Sequence, residues 1–213
     1  MLHENAVIDV VLFIAALLPS IILHEVAHGA VALRLGDTTA KDAGRLTLNP
    51  IPHIDPFGSI ILPFALAMAR MNVFGWAKPV PVNPSRFQRP IEGMAITSLA
   101  GPATNLLLAL AVGRLGPFQD VGGVIYLTSD ALWARLLLGL LIVNAALAVF
   151  NMLPIPPLDG SKLLPLLLPP RAQEVFYRVS QYGFIILFAL VFVFRDALAF
   201  LGSWIRAIIR FVV

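Results

Sequence analysis

A mostly α-helical protein that crosses the bilayer several times is the expectation for this chain, and three observations set it. Of its 213 residues, 59% are hydrophobic and 13% charged, against about 25% charged in soluble domains. Mean hydropathy is +0.87. Apolar runs recur that approach the roughly 20 residues needed to span. The expected class is therefore an all-α polytopic membrane protein with about five to six membrane segments. One of these, at 57–70, either re-enters or crosses. Short strand-like segments are expected at 44–49 and 75–84.

The first apolar run covers about 6–34 and stops at Arg34 and Gly36-Asp37. No Lys or Arg precedes Arg34. The basic n-region of a signal peptide is thus missing, and the first helix is expected to stay in the mature protein. Residues 37–50 are polar, and GRLTLN alternates as a strand does. NPIPHIDPFG carries three prolines and a glycine, which rules out a helix there. The run at 57–69 is short and interrupted by Pro63, which favours re-entry over crossing. Prolines 79, 81 and 84 make 75–84 an extended edge segment. A third apolar helix is expected at 92–115 and a fourth at 131–152. Residues 161–180 are amphipathic, and 182–194 and 197–213 are apolar runs split by Arg195-Asp196. Trp76, Trp133 and Trp204 read as interfacial anchors.

Several function classes drop out. The chain has no cysteine, so disulfides, thiolate ligands and thiol nucleophiles are excluded. A net charge of +3 is spread over loops, with no basic run and no aromatic–basic interleaving. No nucleic-acid partner is expected.

His24-Glu25-Val26-Ala27-His28 lies in the apolar first helix. His-Glu-x-x-His sets two imidazoles one turn apart on one face, where both can ligate one Zn²⁺. The glutamate between them suits a general base. Ionisable groups at such a depth point to function. Catalytic zinc usually takes three protein ligands. The remaining candidates are His3, His53, Asp9, Asp55, Asp120, Asp130, Asp159 and Asp196. Asp159 stands out, because LPIPPLDG follows the fourth helix directly and breaks it. Broken backbone at membrane depth is tolerated only where it is buried in protein or lines a wet cavity. An alternative for Asp159 is a cap on the following turn.

HEVAH at 24–28, AGPATN at 100–105 and NMLPIPPLDG at 151–160 together resemble the site-2 protease family of intramembrane zinc metallopeptidases. The likeness covers roughly 8–165. GRLTLNPIPHIDPFG (44–58) and GWAKPVPVNP (75–84) extend it to a compact subfamily without the PDZ or CBS domain that many larger members append. The resemblance implies a single peptidase domain over 1–213, with a catalytic core at about 8–165 and C-terminal membrane segments at about 182–213. It implies one Zn²⁺ per chain, held by His24, His28 and Asp159, with Glu25 as general base. Asn105 and Asn151 would steady an oxyanion or the unwound substrate, or act as interhelical hydrogen-bond glue. His53 would grip substrate, assist the metal, or bond a loop carbonyl. Gly101-Pro102 would permit close helix approach or a kink.

The implied activity is hydrolysis of peptide bonds within or beside transmembrane segments of other proteins. Partners are those substrates, the bilayer and a separate regulatory membrane protein. The rival reading is a membrane metal-binding or transport protein that uses the same ligands without hydrolysis. With 57–70 re-entering, Arg34, Lys41, Arg45, Lys78, Arg86, Arg89, Lys162, Arg171 and Arg178 would fall on the zinc-proximal side, and Arg114 and Arg135 opposite. That bias puts the site nearer the cytoplasm, in a multi-pass protein of the cell (inner) membrane.

Overall fold

Residues 2–62, 65, 68, 76–122, 124–193 and 198–213 are described by a computed structural model. Helix α1 (Leu2–Arg34) buries Ala16, Ser20, His24, His28 and Ala32, one residue every fourth position. This spacing keeps all five on one face. The opposite face exposes Val10, Val11, Phe13, Ile14 and Leu18, an apolar surface suited to lipid. Helix α2 (Pro90–Leu115) answers with a stripe of small or polar residues, Thr97, Gly101, Asn105, Ala109 and Gly113, also at every fourth position. Helix α3 (Leu132–Asn151) adds Leu141, Asn144, Ala145 and Ala148. Each of the three helices packs against the other two. Small residues let their backbones approach, as helix association in lipid requires.

Between α2 and α3 lies an antiparallel hairpin, β1 (Phe118–Val121) and β2 (Val124–Leu127), in the register Phe118↔Leu127. Helix α4 (Pro170–Ser180) is amphipathic, and α5 (Gly183–Phe192) follows at 65°. Helix α6 (Leu201–Val212) runs back along α3. Its Leu201 packs with Val149 and Leu153, and its Val212 packs with Leu141 and Ala109.

The protein is thus mostly helical, with apolar helices consistent with an integral membrane protein and a two-stranded sheet. Among the described residues, three helices are long and apolar enough to cross a membrane, and α4–α5 makes a fourth if the bent pair is one span. The expected five to six are not confirmed among the described residues. Helices α5 and α6 hold 10 and 12 residues. That gives about 15–18 Å against a hydrocarbon core of about 30 Å. Of the expected segment at 57–70, residues 63, 64, 66, 67, 69 and 70 lie outside the described residues, Pro63 among them. So do Gly75, Arg195 and Asp196.

The strand-like expectations need correcting. No strand forms at 44–49. Thr47 Oγ1 accepts from the Asn49 N–H, and Asn49 Oδ1 accepts from the Ile51 N–H. Such local bonds bend the chain away from a ladder. Residues 76–83 are irregular and pair with no strand. Pro79 and Pro81 lack an N–H. Four amides bond elsewhere: Trp76 to the Gly58 carbonyl, Lys78 to the His53 carbonyl, Val80 to the Glu25 carboxylate and Asn83 to the Asp37 carboxylate. The hairpin sits instead at 118–127, where Gly122 has φ +63°.

Helix α1 ends in a Schellman turn. Gly36 adopts φ +104°, and the Asp37 N–H donates to the Ala32 carbonyl at 2.9 Å. The turn delivers Asp37, fully buried, to the 76–83 strap. Burial pushes the Asp37 carboxyl up. The Thr39 hydroxyl, the N–H groups of Asn83 and Thr39, and the Arg86 guanidinium outweigh it and hold the carboxyl below the usual range. Its folded pKa is lowered, so its contribution is present above the unfolded value of about 3.9 and is lost as pH falls through the folded one. Amide-exchange protection of Asn83 is expected to persist above about pH 4 and to fade as the medium is acidified further. Protection that is unchanged with acid would contradict this.

Candidate metal centre

His24 and His28 face inward because they continue the buried stripe of α1. Asp159 reaches them because the chain folds back under α3. A Cβ on Gly160 would lie 2.2 Å from the Met152 carbonyl oxygen, so only glycine permits that return. His24 Nε2 and His28 Nε2 each lie 3.1 Å from Asp159 Oδ2 and 3.0 Å from one another. All three residues are buried.

The back of each ring is held. His28 Nδ1 lies 2.7 Å from the Thr97 carbonyl oxygen. A carbonyl only accepts, so that nitrogen carries the proton. His24 Nδ1 lies 2.6 Å from Asn105 Oδ1 and donates in the same way. Each neutral ring then presents an unprotonated Nε2. Two such lone pairs and a carboxylate oxygen at these separations repel one another unless a cation lies among them. Tetrahedral zinc with bonds of 2.0–2.1 Å would set its ligand atoms about 3.3 Å apart. The donor set, its spacing and the tautomers fixed from behind all fit one zinc-like ion. Lys162 Nζ donates to Asp159 Oδ1 at 2.9 Å and leaves Oδ2 to the cluster.

The helices leave little slack. A Cβ on Gly101 would lie 2.4 Å from His28 Nε2 and 2.5 Å from His24 Nε2. The glycine of AGPATN is what lets α2 pass beside the cluster.

Glu25 is outside the ligand triangle and lines the same cavity, of about 470 Å³, as His24, His28 and Asp159. Its Oε2 accepts from the Val80 N–H at 2.7 Å. The 76–83 strap therefore borders the site with Glu25 attached. Asn151 also lines the cavity, and its Nδ2 donates to the Leu147 carbonyl at 3.0 Å.

Two expected site residues are placed away from substrate space. Asn105 is fully buried behind His24, with its oxygen on Nδ1 and its nitrogen on Asn144 and the Ser20 carbonyl. An amide so engaged steadies the histidine and has no donor left for an oxyanion. His53 is buried in the loop, where Nε2 donates to the Thr47 carbonyl at 3.0 Å. It is absent from the cavity wall. His53→Gln is expected to leave metal stoichiometry unchanged, as metal analysis of the purified variant can check. A loss of metal would restore His53 as a ligand. Trp76, expected at an interface, packs on Phe184 with ring centroids 5.3 Å apart and lines the cavity.

Thr97, Lys162, Ser20 and Asn144 escaped the sequence reading as parts of the site. Only Asn144 carried a signal, an amide in the apolar middle of α3.

Together, the helical bundle, the buried His–His–Asp cluster and the glutamate beside it define a membrane-embedded protein with the donor set of a metallohydrolase. The profile of Peptidase family M50 matches residues 112–194, a stretch that contains Asp159. "Putative zinc metalloprotease YwhC" of Bacillus subtilis is 39% identical over 185 residues, covering 83% of this chain and 78% of that protein. "Putative zinc metalloprotease Rip2" of Mycolicibacterium smegmatis is 36% identical over 183 residues, covering 85% of this chain and 66% of the relative. The Rip2 of Mycobacterium tuberculosis H37Rv is 33% identical over 184 residues, covering 84% and 66%. No solved structure matches. The chain belongs to peptidase family M50.

Proposed function

We propose that this protein is an intramembrane zinc metalloprotease that hydrolyses peptide bonds within or beside transmembrane segments of other membrane proteins. The carrying observation is the convergence of His24 Nε2, His28 Nε2 and Asp159 Oδ2, each 3.0–3.1 Å from the next, in a cavity that also holds Glu25. Names of the relatives support the metal and the activity.

Bound zinc would supply Lewis acidity toward the scissile carbonyl and ease deprotonation of water. Glu25 takes the proton from the attacking water at its carboxylate and returns it to the leaving amide nitrogen. Lys162 holds Asp159 by Oδ1. Asn151, on the cavity wall, would meet the substrate backbone or the developing oxyanion. The strap at 76–83 borders the cavity, and the Val80 N–H ties it to Glu25. The whole chain acts as one peptidase domain. Its site faces the cytoplasmic half of the cell membrane, as the distribution of Lys and Arg favours.

The test is cleavage of a single-span substrate in vesicles before and after chelation. Activity that vanishes with the chelator and returns with zinc is the expected result. Cleavage indifferent to both would refute the reading.

A further inference from the structure

The orientation of Asn105 decides whether His24 faces the cluster with a lone pair or a proton. An amide can turn either end toward a ring nitrogen. Were Asn105 flipped, its Nδ2 would donate to His24 Nδ1, and Nε2 would carry the hydrogen. A protonated Nε2 cannot ligate a metal. Something must hold the flip, and Asn144 stands next in line.

We infer that Asn144 is a positioning residue that sets the tautomer of His24 through Asn105, and this rests on the zinc reading of the site. Asn105 Nδ2 donates to Asn144 Oδ1 at 2.8 Å. Asn144 Nδ2 in turn donates to the Leu140 carbonyl and to Ser20 Oγ, both at 2.8 Å. The Ser20 hydroxyl donates to the Ala16 carbonyl at 2.7 Å and so meets Asn144 with a lone pair. The carbonyls of Leu140 and Ala16 can only accept. They fix which end of Asn144 faces Asn105, and Asn144 then fixes which end of Asn105 faces His24. Polarity is therefore defined at every link from the backbone of α3 and α1 to the ring. A second contact, Asn105 Nδ2 to the Ser20 carbonyl, is longer at 3.3 Å and assists the same orientation.

Both amides are fully buried. No water competes there, and a mispaired amide is costly. Such a chain has no use in packing alone, where an apolar side chain of Asn144's size would serve. His28 needs no relay, because the Thr97 carbonyl fixes it directly.

The test is zinc affinity of the purified full chain, by competition with a calibrated chelator, for wild type, Asn144→Leu and Asn144→Leu/Asn105→Asp. A carboxylate at 105 accepts from His24 Nδ1 whichever way it turns, so it no longer needs Asn144. Asn144→Leu is expected to weaken zinc binding by about tenfold or more, within the range for lost outer partners of metal ligands. Adding Asn105→Asp should bring affinity back to within about threefold of wild type. Asn144→Ala, which introduces no extra bulk, gives a second variant if the leucine does not fold. Unchanged affinity in a folded Asn144 variant would overturn the inference, as would a double variant that loses affinity additively. Absence of zinc binding in wild type would instead remove the site reading, and the relay with it.

Discussion

Glu25→Gln is expected to keep its metal and to lose about 10²–10⁴-fold in cleavage rate, the usual contribution of a general base. The geometry separates the two effects. His24, His28 and Asp159 form the cluster that could hold a metal ion, and Glu25 lines the cavity beside them. A glutamine retains a carbonyl oxygen for the Val80 N–H, the bond made at 2.7 Å by Glu25 Oε2, so the strap keeps its attachment. Only the capacity to take a proton goes. The outcome also separates a protease from a metal carrier, since a carrier using the same ligands has no need of a base beside them. Metal analysis with a rate measurement on a transmembrane substrate reads both. Wild-type cleavage by Glu25→Gln would assign the base elsewhere, and loss of metal would make Glu25 a ligand.

Gly101→Ala is expected to abolish metal binding and activity together, although it removes no polar group. The added methyl would sit 2.4–2.5 Å from both Nε2 atoms, in the space the ligands face. Separation of α2 from α1 would be the alternative to displaced rings. It would also pull Thr97 and Asn105 away from His28 and His24, since both lie on α2. A change of one methyl thus disrupts the ligands and their supports at once. Metal content of the purified variant checks it, with circular dichroism to confirm that the helices persist. Stoichiometric metal in Gly101→Ala would show that the helix contact is looser than described.

What the sequence made legible was chemistry with a fixed local spacing. HEVAH needs only a helix to bring its histidines to one face. The helix-breaking LPIPPLDG announced a carboxylate at membrane depth. Small residues at every fourth position of α2 had a visible period, but their partner did not, because which side chain fills the space over Gly101 depends on how α1 packs. Partners set by helix packing were illegible for the same reason. Asn105 reads equally as an oxyanion group or as interhelical glue, because nothing local shows that its amide is used up by Ser20 and Asn144. For His53 the sequence leaves substrate, metal and loop-carbonyl roles open, and the bond to the Thr47 carbonyl is the last of these. GRLTLN alternates like a strand, but Thr47 and Asn49 spend their side chains on nearby amides, a competition that hydrophobic alternation does not register. The hairpin at 118–127 did carry a signal, Gly122-Gly123 between two β-rich runs, in a stretch read only as a connection.

Metal stoichiometry of the purified wild-type chain, measured beside Asp159→Ala after both are supplied with zinc, tests most directly whether His24, His28 and Asp159 form a metal centre. Close to one zinc per wild-type chain is expected, with Asp159→Ala strongly depleted but still folded. A wild-type chain that takes up no zinc, or an Asp159→Ala chain that holds it as firmly as wild type, would contradict the assignment.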